Sequence, residues 1–222
     1  MSGNNPEHAI LLSYAPAKGR AALVAALALD AALSDVLRST SEPVLGQIRL
    51  RWWDDSLHAL DDGPAAAVPV LADLAQAFAG TGVRPSMLGA MTEGWSMLLE
   101  EETFDAELLD RQGQLRGGTL FEACGQVFGA QPGDPLINAG TGWALADLAR
   151  HVREPELAEL AAARARTLLD QALGVRWSNA ARSLGAAAHF ARMDLDVPLT
   201  APLPTGSPRR LGRVLWHRLT GR

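Results

Sequence analysis

Apolar residues recur along this chain at intervals of three and four rather than two, and that period fixes the class of fold open to it. Ala and Leu dominate, runs of β-branched residues are scarce, and no segment alternates like a half-buried strand. An all-α protein is expected. Helices are predicted over Gly19 to Ser39 and Glu42 to Leu60, with Asp62, Gly63 and Pro64 as a stop, then over Ala65 to Ala79, Pro85 to Leu99, Ala106 to Phe128 and Pro135 to Val152. Two more follow, Glu156 to Leu173 and Trp177 to Met193. The segment Val197 to Pro208 holds four prolines and a glycine and reads as an extended linker. Residues 1–196 are therefore expected to form one helical domain, and 197–222 a Pro-rich linker with a short basic C-terminal helix.

A chain of 222 residues can bury a substantial core without staples. Its single cysteine, Cys124, excludes an internal disulfide framework and a multi-cysteine zinc site, and fits a reducing compartment. No run approaches the roughly 20 apolar residues of a membrane span. The polar stretch Ser2 to His8 lacks the basic and apolar regions of a signal peptide, so a cytoplasmic protein is expected. The net charge of −5 is unevenly placed: no acid follows Asp196, and the tail carries Arg209, Arg210, Arg213, Arg218 and Arg222, which leaves −10 on the rest. Phosphate binding needs a broad cationic surface, and so acidic a body excludes nucleic acid as the main partner.

The search for chemistry-bearing residues is narrow. No local Ser/His/Asp or Cys/His signature is present, and the five histidines are scattered. Arg116, Gly117, Gly118 and Thr119 fall within a helical pattern, where glycine permits close helix packing rather than a phosphate cradle. On a helix, Asp54, His58 and Asp61 or Asp62 would share one face at metal-ligand spacing. Acids beside Gly63 and Pro64 at a helix end are poorly held, and with Asp55 this cluster is read as an exposed charged face.

The stretch from Ser41 to Leu57 is more specific. It contains Glu42-Pro43, Gly46, Arg49-Leu50 and Trp52-Trp53, and it resembles the second helix of the squalene/phytoene synthase family, most nearly the family's assembly-factor-like branch. Taken alone, adjacent tryptophans on a helix are core anchors and Arg49 a charged flank. The segment Gly118 to Gly129, with Ala123, Cys124, Gly125 and Gln126, is similar to the family's small-residue helix. The ending Gly206, Ser207, Pro208, Arg209, Arg210 with Leu219, Thr220, Gly221 and Arg222 is similar to the C-terminus of its short bacterial members. The resemblance runs from Leu12 to Arg222.

It implies the isoprenoid synthase fold, a helical bundle around an apolar cavity, with two aspartate-rich motifs facing each other across the mouth. Ionising an allylic diphosphate concentrates negative charge, which magnesium ions held by carboxylates one helical turn apart would neutralise. In this chain no two aspartates stand four residues apart. The first motif falls on Ser34 to Arg38, where only Asp35 is acidic, and an arginine repels a cation instead of ligating it. The second falls on Gly140, Ala144, Asp147, Arg150 and His151, with Asp147 where asparagine is expected and His151 in place of the ligating aspartate.

No catalytic residue or metal ligand is assigned on this reading, and magnesium would be needed only if residual activity exists. The vestigial pocket is expected from Asp30, Ser34, Arg38, Asp147, Arg150 and His151. With Asp30, Ser34 and Arg38 on one helix face and Asp147 and His151 opposite, an Arg38–Asp147 pair is expected to stand in for the lost ions.

Three functions stay open under the resemblance. One is a non-catalytic assembly or scaffold protein partnering a respiratory or other membrane complex, since that branch contains a mitochondrial complex I assembly factor. The second is a head-to-head prenyl transferase making squalene-like or phytoene-like products, and the third a protein that binds a prenyl lipid in the cavity. In the tail, Leu211, Val214, Leu215 and Leu219 form an apolar stripe with Arg210, Arg213 and His217 off it. This helix is expected either to dock on the acidic body or to make peripheral contact with an anionic membrane at its inner face.

Overall fold

A computed structural model describes residues 6–63, 67–101 and 103–222. Among the described residues the chain is helical and without strands. The helices are α1 (Pro6–Tyr14), α2 (Arg20–Arg38), α3 (Pro43–Ala59), α4 (Pro69–Phe78), α5 (Ala90–Glu100), α6 (Ala106–Gly113), α7 (Thr119–Phe128), α8 (Leu136–His151), α9 (Pro155–Leu173), α10 (Arg182–Asp194) and α11 (Pro208–Thr220). Proline opens α3, α4, α9 and α11, where its fixed φ suits the first turn and its missing N–H is not needed. The Asp105 carboxylate accepts the Leu108 N–H at 2.8 Å and caps α6. Gly129, at φ 80°, ends α7 in the left-handed conformation that glycine adopts without strain.

Four elements differ from the sequence-based expectation. Helix α1 was not foreseen. The predicted Ala65–Ala79 helix is seen from Pro69, and its first two residues, with Pro64 of the predicted stop, lie outside the described residues. The predicted helix Ala106–Phe128 is interrupted by one π-helical turn, Gln114–Gly118. The predicted helix from Trp177 begins only at Arg182, because the Trp177 amide is donated to the Gly221 carbonyl at 2.8 Å and its indole N–H to the Ala172 carbonyl at 3.1 Å.

Helix α8 is the centre of the bundle, packed against α7, α9, α10 and the π-turn. Its buried face is built from small residues, among them Ala139, Gly140, Gly142 and Ala146, which lets neighbouring backbones approach closely. The limit is reached at Gly117 and Gly140. A β-carbon on Gly117 would lie 2.0 Å from the Gly140 carbonyl oxygen, and one on Gly140 would lie 2.1 Å from that of Gly117. The expectation of close packing at Gly117 and Gly118 is met at Gly117, while a β-carbon on Gly118 would come no nearer than 3.3 Å to the Gln114 side chain. Of the paired tryptophans, Trp53 is buried while Trp52 lies edge-on to it and is half exposed, so one of the two is a core anchor.

Helix α11 folds back onto α10. It docks through Arg210, Val214 and His217, all buried, and the expected apolar stripe, Val214 excepted, does not form the contact. Arg210 pairs with Glu7 of α1 at 2.7 and 2.8 Å and with Asp194 of α10 at 2.7 Å. Arg182 donates to the Arg218 carbonyl at 2.7 Å and so ties down the end of α11. Ion pairs with two acids on the receiving surface set the rotation of the helix, and Leu215, Trp216 and Leu219 are left outward, 52%, 57% and 68% exposed. The buried His217 ring stands edge-on to His189, 4.7 Å between centroids, and to Trp177 at 6.0 Å.

Candidate functional site

A cavity of about 590 Å³ opens between α2, α5, α8, α9 and the π-turn. Its walls are largely apolar, with Leu27 and Leu37 from α2, Leu98 from α5, Trp143 and Leu148 from α8, and Leu157 from α9. Such a size lies within the roughly 300–1,000 Å³ of small-molecule sites. Asp30, Ser34 and Arg38 reach it from three successive turns of α2, and Asp147 and His151 from two turns of α8. These five of the six predicted pocket residues are brought together.

The polar end of the cavity is organised by a residue that sequence reasoning passed over as part of a packing motif. Arg116 projects from the π-turn, and its guanidinium is only 3% exposed. Its Nε donates to Asp30 Oδ1 at 2.8 Å, and its Nη2 to Asp30 Oδ2 at 2.9 Å and Asp147 Oδ2 at 2.7 Å. The cation lies over the Trp95 ring, 4.1 Å from the centroid, and 5.3 Å from that of Trp143. The Trp95 indole N–H completes the set by donating to Asp30 Oδ1 at 3.1 Å. Burial by itself disfavours a charged guanidinium, but attraction to Asp30 and Asp147 and the hydrogen bonds they accept outweigh it and raise its pKa. Burial likewise pushes the Asp147 carboxyl up, yet Arg116 and then His151 carry it below the ordinary carboxylate value. Arg116 and Asp147 are thus both held charged at neutral pH.

The expected Arg38–Asp147 pair is replaced by this arrangement. Arg38 bonds within its own helix, to Ser34 Oγ at 3.0 Å and to the Asp35 carboxylate, and stays largely exposed at the mouth. Asp147 is engaged by Arg116, and His151 Nδ1 lies 2.7 Å from the Asp147 carbonyl and 3.3 Å from its Oδ1. Arg150 is not a pocket residue. It points away from the cavity and donates to the Asp194 carbonyl at 3.2 Å and to carbonyls of Val197, Pro198 and Ala201, pinning the chain after α10. Arg49 hydrogen-bonds Ser39 and Thr40 at 2.9 and 2.7 Å and closes the link between α2 and α3.

The residues present do not fit the magnesium ions that the fold family implies. Asp30 and Asp147, the acids that face each other, already share an internal cation, and Ser34, Arg38 and His151 are the other polar residues that the two motifs bring to the cavity. Among the described residues no three His, Cys, Asp or Glu side chains converge in a metal-binding group. In the other acidic cluster, Asp61 accepts the Ser86 amide at 3.1 Å, Asp54 lies beside His58, and Asp55 pairs with Arg51. Cys124 is buried, and burial pushes its thiol up to about 12, far from a nucleophile.

Three comparisons place this geometry. A crystal structure of a dehydrosqualene synthase in complex with ligand superposes with a TM-score of 0.76 at 16% identity, covering 97% of this chain and 91% of that one. At that identity the likeness establishes the fold, the all-α isoprenoid synthase bundle. No curated protein matches the sequence. The family model for squalene/phytoene synthase matches residues 4–176, a span that holds Asp30, Arg116 and Asp147. The chain belongs to the squalene/phytoene synthase family.

Proposed function

We propose that this protein is a non-catalytic member of its family that keeps the apolar cavity as a lipid chamber and acts as an assembly or scaffold protein. The observation that carries the reading is the guanidinium of Arg116 between Asp30 and Asp147. Ionising a prenyl diphosphate requires cations that neutralise the departing diphosphate. Here the facing acids hold a cation that belongs to the chain, with its charge already spent on them. The decisive experiment incubates the purified protein with farnesyl and geranylgeranyl diphosphate, magnesium and manganese, and extracts products for mass spectrometry. No condensed product is expected. Condensed product that disappears on Asp147→Ala would instead establish a head-to-head prenyl transferase.

Two exposed surfaces support a partner role. On α3, Val44, Ile48 and Trp52 lie one turn apart beside Leu45, all facing outward, and suit a protein partner within a membrane complex. On α11, Leu215, Trp216 and Leu219 form an outer ridge, with Arg209 and Arg213 along one side and Arg218 along the other. An apolar ridge between arginines suits peripheral contact with an anionic membrane. Among the described residues no helix is long and apolar enough to cross one.

A further inference from the structure

The polarity of the cavity sorts the ligands it can hold. Its lining carries four carboxylates, Asp30, Glu101, Asp147 and Glu154, against two guanidinium groups, Arg38 and Arg116. Both cations are committed. Arg38 is bound to Asp35 and Ser34 of its own helix at the mouth, and Arg116 spends Nε and Nη2 on the carboxylates while its Nη1 faces the Ala144 carbonyl at 3.5 Å. An anionic head entering here meets twice as many carboxylates as guanidinium groups, so the charge it encounters is on balance repulsive. Acceptors, by contrast, are in surplus. A carboxylate offers about four lone-pair sites. Asp147 gives Oδ2 to Arg116, keeps Oδ1 beside His151, and leaves its side chain 37% exposed at the apolar chamber.

From this we infer that the chamber takes an apolar chain ending in a hydroxyl or a protonated amine, with Asp147 accepting its N–H or O–H, and excludes the diphosphate ester of the same chain. The inference rests on the lipid-chamber reading above and adds the head-group chemistry. It reverses the preference expected of a site that grips diphosphate through metal ions, and the reversal follows from placing an arginine between the two acids. A chain end that donates adds hydrogen bonds to an existing carboxylate and displaces nothing. A diphosphate would have to pull Arg116 away from Asp30, which is 7% exposed and would lose its cation.

Equilibrium dialysis of the full chain against farnesol, farnesylamine and farnesyl diphosphate, each with EDTA and with magnesium, tests it. Farnesylamine should bind about tenfold more tightly than farnesol, the difference of a charge-assisted hydrogen bond. Farnesyl diphosphate should bind at least about tenfold more weakly than farnesol, with or without magnesium. Asp147→Asn should bring the amine-to-alcohol ratio below about 3, because the variant keeps the side chain's shape and removes its charge. Diphosphate binding as tightly as the alcohol, or tightened by magnesium, overturns the inference, as does an amine preference that survives Asp147→Asn. Failure of all three probes to bind overturns the lipid chamber itself, and condensed product in the magnesium arm overturns the non-catalytic reading.

Discussion

Replacing Arg116 with methionine would remove the cation and retain most of the side chain's apolar bulk between Trp95 and Trp143. What remains is the Asp30 carboxylate, 7% exposed, with the Trp95 indole as its one retained donor. Asp147 is 37% exposed and can return to water, so the penalty concentrates on Asp30. Removing one partner of a buried ion pair costs about 3–5 kcal/mol, because the other is left charged in a medium that solvates it poorly. For a chain of this size each kcal/mol lowers the melting temperature by about 2–4 °C, which predicts a fall of roughly 6–20 °C. Urea titration followed by far-UV circular dichroism gives the free energy directly. The matched control is the double variant Asp30→Leu, Arg116→Met, which removes both charges and should be more stable than Arg116→Met alone by at least about 2 kcal/mol. A loss below about 1 kcal/mol in the single variant, or no recovery in the double, would refute the internal ion pair.

Three further outcomes are expected. Burial, then each other's proximity and Arg213, carry His189 down to about 3, and burial, then Arg213 and Arg182, carry His217 down to about 4. With both folded values below the unfolded value of about 6.5, the unfolded chain takes up protons that the folded one refuses, and stability falls on acidification from about pH 6.5 to 4. Each histidine contributes up to about 1.4 kcal/mol per pH unit, and Asp194, pushed up to about 6 by burial, acts with the opposite sign, leaving a net slope of about one histidine. Urea midpoints between pH 4 and 7 read this slope, His189→Gln should flatten it, and a wild-type stability that does not change with pH would contradict it. Gly117→Ala places a methyl group 2.0 Å from the Gly140 carbonyl and should destabilise by at least about 2 kcal/mol in the same titration, whereas Gly133→Ala, which meets nothing, should be within about 0.5 kcal/mol of wild type. The triple variant Leu215→Gln, Trp216→Gln, Leu219→Gln leaves the docked face of α11 intact and should lose co-sedimentation with anionic vesicles. Equal sedimentation of the triple variant and the parent chain would remove α11 from membrane contact.

Periodicity and proline placement made most of the bundle legible, because helices α2, α3, α8 and α9 advertise themselves through long apolar faces and N-terminal proline or glycine signals. The Gly117–Gly140 contact was half visible, since glycine in a helical pattern announces close approach but not the partner. The site was harder to read. Asp30, Ser34, Arg38, Asp147 and His151 could be placed by helical spacing and family resemblance, but those arguments operate within one helix and choose partners across the bundle only by guesswork. Spacing therefore points Arg38 at Asp147, although an arginine one turn from both Ser34 and Asp35 is satisfied locally. One signal did point at the right answer. Asp30 interrupts the apolar face formed by Ala26, Leu29 and Leu33, and an acid there demands a buried cation. Arg116, lodged between glycines in an otherwise small and apolar stretch, is the residue that answers it. The rotation of α11 was beyond sequence reasoning, because Glu7 and Asp194, which set it, come from opposite ends of the chain.

The ion cluster also has a bearing on time. Arg116 meets Asp30 across 86 residues of sequence and Asp147 across 31, and no part of the cluster gains from burial until α2, α5, α8 and the π-turn have closed around it. Contacts of that span repay their loop-closure entropy only after it has been spent, and the cluster is expected to complete itself on the native side of the folding barrier. Energy gained there slows escape from the native state without hastening arrival. The arginine thus serves as a latch dropped after the door has shut, and it lengthens the life of each folded molecule more than it affects how soon one forms.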